Sequence, residues 1–82
     1  MKIKLKRLSE PEKVEINSDF IKLDSFLKFA VLVGSGGEAK QVILDGYVEV
    51  NGQVCTMRGK KIYPGDVVEF AGKRITPVKV GP

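Results

Sequence analysis

The chain has 82 residues, a mass of 9.0 kDa and a net charge of +4, room for one small domain that buries only about 60% of its extended-chain surface. Its 43% hydrophobic and 29% charged residues exclude a disordered polymer, and no apolar run approaches the ~18 residues of a membrane span. One cysteine and no histidine exclude an internal disulfide and a Cys/His zinc site, and they remove the commonest general base.

Residues 1–8 alternate, with Ile3 and Leu5 opposed to Lys2, Lys4 and Lys6, the pattern of a half-buried edge strand. They lack the apolar block of a signal peptide, so the expectation is a cytoplasmic protein. After the break at Pro11, Val14 and Ile16 mark a second short extended piece. Residues 1–18 together are expected to form an N-terminal extension that packs on a single domain over 19–82, covering the apolar side of the first helix.

That helix is predicted over residues 23–33, because Leu23, Phe26, Leu27 and Ala30 fall at i, i+3, i+4 and i+7. Gly34-Ser35-Gly36-Gly37 stops it. A second helix is predicted over 38–45, with Ala39, Val42 and Ile43 on its buried face and Gly46 as its left-handed cap. A strand over 47–50 turns at Asn51-Gly52, the strongest short hairpin signal, into a partner strand over 53–56 that contains a buried Cys55. A basic loop then leads through Pro64-Gly65 to a strand over 67–70. The turn at Ala71-Gly72-Lys73 opens a last strand over 74–80, which Pro77 assigns to a sheet edge. Phe20, Phe26, Phe29 and Phe70 are read as core.

The positive charge is uneven. Residues 1–20 carry +1, residues 21–55 carry −1 and residues 56–82 carry +4. The densest cluster is Arg58-Gly59-Lys60-Lys61, a candidate phosphate contact whose plainer reading is a solubilising loop.

Helix, glycine turn, helix and Val-Asn-Gly hairpin in this order resemble a known family, the S-four RNA-binding domain, or αL motif, named for small-subunit ribosomal protein four. The likeness is carried by Lys22-Leu23-Asp24 with Phe26-Leu27, by residues 35–40 with Ile43, by residues 46–52, and by residues 65–70. Ser35 through Lys40 and Arg58 through Lys61 look most like the small stand-alone YaaA/YbcJ-type members. The resemblance implies an α+β fold, a two-helix αL motif packed on a small twisted, mainly antiparallel sheet. It implies a non-enzymatic RNA-binding protein without a cofactor, acting on structured ribosomal RNA in a ribosome-associated role. Many members carry an arginine directly after the serine between the helices; here that position is Gly36, and Lys40 is the substitute cation.

The candidate RNA-binding residues are therefore Lys22, Lys28, Ser35, Gly36, Gly37, Lys40, Arg58, Lys60 and Lys61. Each has a plainer reading. Ser35 or Gly37 caps the second helix; Lys28 pairs with Asp24 at i, i+4; Lys73 and Arg74 extend the patch or face away. Tyr63 is expected to pack over the Pro64-Gly65 turn, with base stacking as the alternative. Asp66 is expected to fix that turn. The expected state is a monomer that meets RNA and the ribosome and no membrane. The rivals are an adaptor docking on protein, with the basic loop only solubilising, and a β-grasp carrier, which needs a terminal Gly-Gly that Gly81-Pro82 does not supply.

Overall fold

The computed structural model describes residues 10–81; the strand expected over 1–8 lies outside them. In chain order the elements are β1 (Glu12–Ile16), β2 (Ile21–Lys22), α1 (Leu23–Phe29), α2 (Gly36–Leu44), β3 (Val48–Val50), β4 (Gln53–Val54), β5 (Lys61–Ile62), β6 (Val68–Phe70) and β7 (Lys73–Lys79). Five strands form one sheet in the order β1-β7-β6-β3-β4, and β2 with β5 forms a separate two-stranded ribbon. All pairings are antiparallel except β1 with β7. The fold is thus α+β with a mainly antiparallel sheet.

Two tight turns set the register of that sheet. Asn51 (φ 53°) and Gly52 (φ 85°) join β3 to β4, and Ala71 (φ 55°) and Gly72 (φ 80°) join β6 to β7. Positive φ at both central residues matches the twist of a two-residue hairpin. Val50 therefore stands opposite Gln53, and Phe70 opposite Lys73. Cys55 lies just past β4 and is half-buried, its amide still donating to the Val48 carbonyl at 3.0 Å.

The last strand is not at an edge, contrary to the reading of Pro77: β7 lies between β1 and β6, and β1 takes the outer position. The reason is local. The β6 ladder covers β7 only from Ile75 to Lys73, while Pro77 stands opposite Val14 of β1. At Pro77 only one flank of β7 is paired, which a residue without an N–H tolerates.

Helix α1 ends at Phe29, four residues earlier than its apolar pattern predicts. The Val31 amide donates to the Lys28 carbonyl at 3.0 Å and the Leu32 amide to the Leu27 carbonyl at 3.0 Å, the two bonds of a Schellman motif. The motif needs a left-handed residue, and Val31 supplies it at φ 60°. Helix α2 ends in the same way, with Gly46 (φ 82°) in that place and bonds from Gly46 to Ile43 and from Tyr47 to Val42. It also starts earlier than expected, at Gly36, because Ser35 caps it.

One core unites these pieces: Leu23, Phe26 and Leu27 of α1, Ala39 and Ile43 of α2, and Val48, Val50, Ile62, Val68 and Ile75 of the strands, with Val33 from the helix connection. Helix α1, at seven residues, is too short to persist without this packing. Of the four phenylalanines read as core, only Phe26 is fully buried; Phe29 is 58% exposed, and Phe20 and Phe70 are half-buried. Phe29 lies off the Leu23, Phe26 and Leu27 stripe of α1, and Val31 lies beyond the helix end, so both face outward. The segment before α1 is held at the far end of β7, where Lys79 Nζ donates to Asp19 Oδ1 at 2.7 Å and lowers that carboxyl's pKa.

Asn51 does more than turn the chain. Its Nδ2 donates to Asp66 Oδ1 at 3.2 Å and its Oδ1 accepts from the Val67 amide at 2.9 Å. Asp66 Oδ2 in turn accepts from the Tyr63 amide at 2.9 Å. The β3–β4 turn is thereby tied to the turn that follows β5.

Two outcomes follow for stability. Val31→Gly relieves a β-branched residue from a left-handed backbone that costs roughly 1–2 kcal/mol, against the glycine entropy penalty of about 0.5–1 kcal/mol. The melting temperature should rise by a few degrees; a fall would contradict the assigned strain. Asn51→Gly keeps the turn but deletes both side-chain bonds, and should cost about 1 kcal/mol in urea unfolding. Faster amide exchange at Val67 is its local signature.

Candidate nucleic-acid interface

The residues around the start of α1 show how the cationic cluster is placed. Lys22 is the N-cap and offers no side-chain acceptor. The first amides of a helix have no partner within it, and here they are met from a distant segment. The Leu23 amide donates to the Lys60 carbonyl at 2.9 Å, and the Asp24 amide to the Arg58 carbonyl at 3.1 Å. The basic stretch expected as a loop is thus a backbone cap for α1, and its last residue, Lys61, lies in β5.

Strand pairing extends the same junction. Ile21 stands opposite Ile62, and Lys22 opposite Lys61. Ile62 is fully buried, so the period-two alternation of a strand turns Lys22 and Lys61 to the outer face. Continuing the register by one step sets Phe20 across from Tyr63, and the two rings lie 5.8 Å apart at 45°. Lys61 Nζ sits 4.9 Å from the centre of the Phe20 ring. Tyr63 is 48% exposed, and its ring leans on Phe20.

The other cations are less closely gathered. Arg58 Nη1 lies 3.7 Å from Asp24 Oδ2, so Asp24 pairs with Arg58 and the expected pair with Lys28 is not formed. Both partners retain solvent contact, and such a pair is worth about 0–1 kcal/mol. Lys60 lines a shallow depression with Val50, Gln53, Val54, Thr56 and Met57, on the β4 side. Lys28 is exposed in the last turn of α1, and Lys40 is exposed on α2. Pairing and capping therefore bring together Lys22, Arg58 and Lys61; Lys28, Lys40 and Lys60 stand on neighbouring elements.

At the start of α2, Ser35 Oγ accepts from the Glu38 amide at 3.2 Å, and Glu38 Oε1 accepts from the Gly34 amide at 2.8 Å. This is a capping box displaced by one residue at its carboxylate arm, and it sets a negative group at the helix start. Among the described residues, a Cβ at Gly36 would meet nothing within 4 Å, and one at Gly37 only Ser35 Oγ at 3.9 Å. The packing of the described residues thus leaves room for a Cβ at either position.

Sequence reasoning missed the role of Phe20 and the existence of β2 and β5. The signal was present in the matched triplets Phe20-Ile21-Lys22 and Lys61-Ile62-Tyr63, each an apolar centre between outward residues. Strands of two residues are too short for periodicity to single out.

Comparison with known proteins agrees with this geometry. The S4 domain family matches residues 14–77. The probable ribosome maturation protein RlbA of Bacillus subtilis (strain 168) is 42% identical over 59 residues, spanning 72% of this chain and 83% of that protein. The fold is similar to the solution structure of YbcJ from E. coli, which revealed an αL motif involved in RNA binding. That likeness has a TM-score of 0.64 and 31% identity, covering 93% of this chain and 98% of the other. With the helix pair, the capped basic segment and the family match all in agreement, the chain belongs to the S4 domain family.

Proposed function

We propose that this protein is a non-enzymatic RNA-binding module that contacts structured ribosomal RNA during ribosome assembly, acting in the cytoplasm as a monomer. The observation that carries the reading is the placement of Lys22 directly across from Lys61. Like charges at opposed positions destabilise a strand pair, and an anionic ligand removes that penalty. Arg58 adds a planar fork suited to phosphate at the same junction.

Around this centre the interface takes in Lys60, Lys28 and Lys40, together with Ser35, Gly36 and Gly37. Two glycines in the first turn of α2 cost stability relative to alanine. The space around them admits a close approach of RNA backbone to the helix start, where the first amides of a helix have no partner within it and favour an anion. Lys40 supplies positive charge on the same helix, offsetting Glu38. The likeness to the probable ribosome maturation protein RlbA supports the ribosomal context, and the likeness to YbcJ, with its αL motif involved in RNA binding, supports RNA as the ligand. Phosphate contacts supply most of the affinity in this reading, and RNA shape supplies selectivity.

Replacing Lys22 and Lys61 by glutamine tests the reading. Binding should weaken to a similar degree for all RNAs. The slope of log K against log salt should flatten by about 0.7 for each lysine removed, the single-strand value, while the melting temperature holds or rises. An unchanged slope would overturn it. If association with ribosomes survives ribonuclease, the contact is with protein, and the adaptor reading replaces this one.

A further inference from the structure

We infer that Tyr63, braced by Phe20, is a stacking platform for an unpaired RNA base beside the Lys22–Lys61 phosphate contact. The inference rests on the RNA-binding reading and adds the class of RNA the site takes, one with an unstacked nucleotide.

Continued one residue beyond each strand, the β2–β5 register sets four residues on one outer face: Phe20 and Lys22 on one side, Lys61 and Tyr63 on the other. Ile21 and Ile62 point the opposite way, toward the core. Along a strand, residues of one face are about 6.6 Å apart, twice the rise per residue. The lysine pair and the aromatic pair are therefore adjacent at a spacing that one nucleotide can bridge, phosphate on the lysines and base on the ring.

The two rings have different parts. Phe20 is half-buried and carries Lys61 above its face, so it braces its neighbour. Tyr63 is tilted against Phe20 at 45° and remains 48% exposed. An aromatic surface kept open beside cations is the composition that holds single-stranded nucleic acid, and in RNA the bases available for stacking are those of loops, bulges and ends.

The platform is also fixed in place. The Tyr63 amide donates to Asp66 Oδ2 at 2.9 Å, and the Asp66 amide donates back to the Tyr63 carbonyl at 2.9 Å. Asn51 holds the other carboxylate oxygen of Asp66. Just before β2, Ser18 Oγ donates to the Phe20 carbonyl at 2.8 Å. These bonds fix the backbone that carries each ring, and the Phe20 contact supports the Tyr63 ring on one side, so less freedom is lost when a base stacks on it.

The test compares a hairpin RNA with an unpaired purine loop and a blunt duplex of the same stem, with wild type, Tyr63→Leu and Tyr63→Phe. Leucine keeps apolar cover over Phe20 but has no π face; phenylalanine keeps the face. Tyr63→Leu should lower hairpin affinity about tenfold, leave duplex affinity unchanged and leave the salt slope unchanged, while Tyr63→Phe binds both RNAs like wild type. An unchanged hairpin-to-duplex ratio in Tyr63→Leu, or an equal loss on both RNAs, would overturn the platform and leave the phosphate reading standing. If wild type binds neither RNA, the RNA-binding reading falls and the platform with it.

Discussion

Helix α1 starts with two amides that no side chain of its own satisfies, and its first residue, Leu23, is fully buried. A buried amide without a partner costs about 1–3 kcal/mol, a large share of what a domain of this size can spare. The carbonyls of Arg58 and Lys60 meet both donors. That exchange fixes a segment remote in sequence against the helix start, lets β5 pair with β2, and sets the cationic and aromatic side chains of the ribbon in one place. The proposed interface is a consequence of how the helix is capped.

Several local choices in this fold run against stability. Lys22 faces Lys61, Gly36 and Gly37 occupy a helical turn, and Val31 holds a left-handed conformation that glycine would hold more easily. Sites where local rules are broken are where function is expected. For the lysines and the glycines the proposed RNA contact would give the reason: an anion would resolve the repulsion, and the open space at the helix start would admit it. For Val31 the structure shows the strain without a partner that uses it.

Much of the architecture was legible in the residues. Asn51-Gly52 announces a two-residue hairpin, Ala71-Gly72-Lys73 a second turn (of which Lys73 proves to open the strand), Ala39, Val42 and Ile43 mark the inner face of α2, and Gly46 marks its end. The failures have physical causes. The apolar run after Phe26 favours a longer helix, yet the chain closes a Schellman motif at Val31, a residue that gives no sign of left-handed backbone. Pro77 signals an edge, and the signal is right for one flank of β7 and wrong for the strand. Lys22, Arg58 and Lys61 were recognisable as cations, but what gathers them is a pair of backbone bonds, which no side-chain pattern encodes. Tyr63 does open the Pro64-Gly65 turn, its carbonyl accepting from the Asp66 amide; its contact with Phe20 was not legible because that partner lies across a ribbon too short to read.

The most direct measurement is the NMR scalar coupling across hydrogen bonds, from the Leu23 nitrogen to the Lys60 carbonyl carbon and from the Asp24 nitrogen to the Arg58 carbonyl carbon. The account predicts that both couplings are present and that both amides exchange slowly with solvent. Absence of the couplings, with the two amides exchanging as fast as those at a frayed helix end, would contradict it.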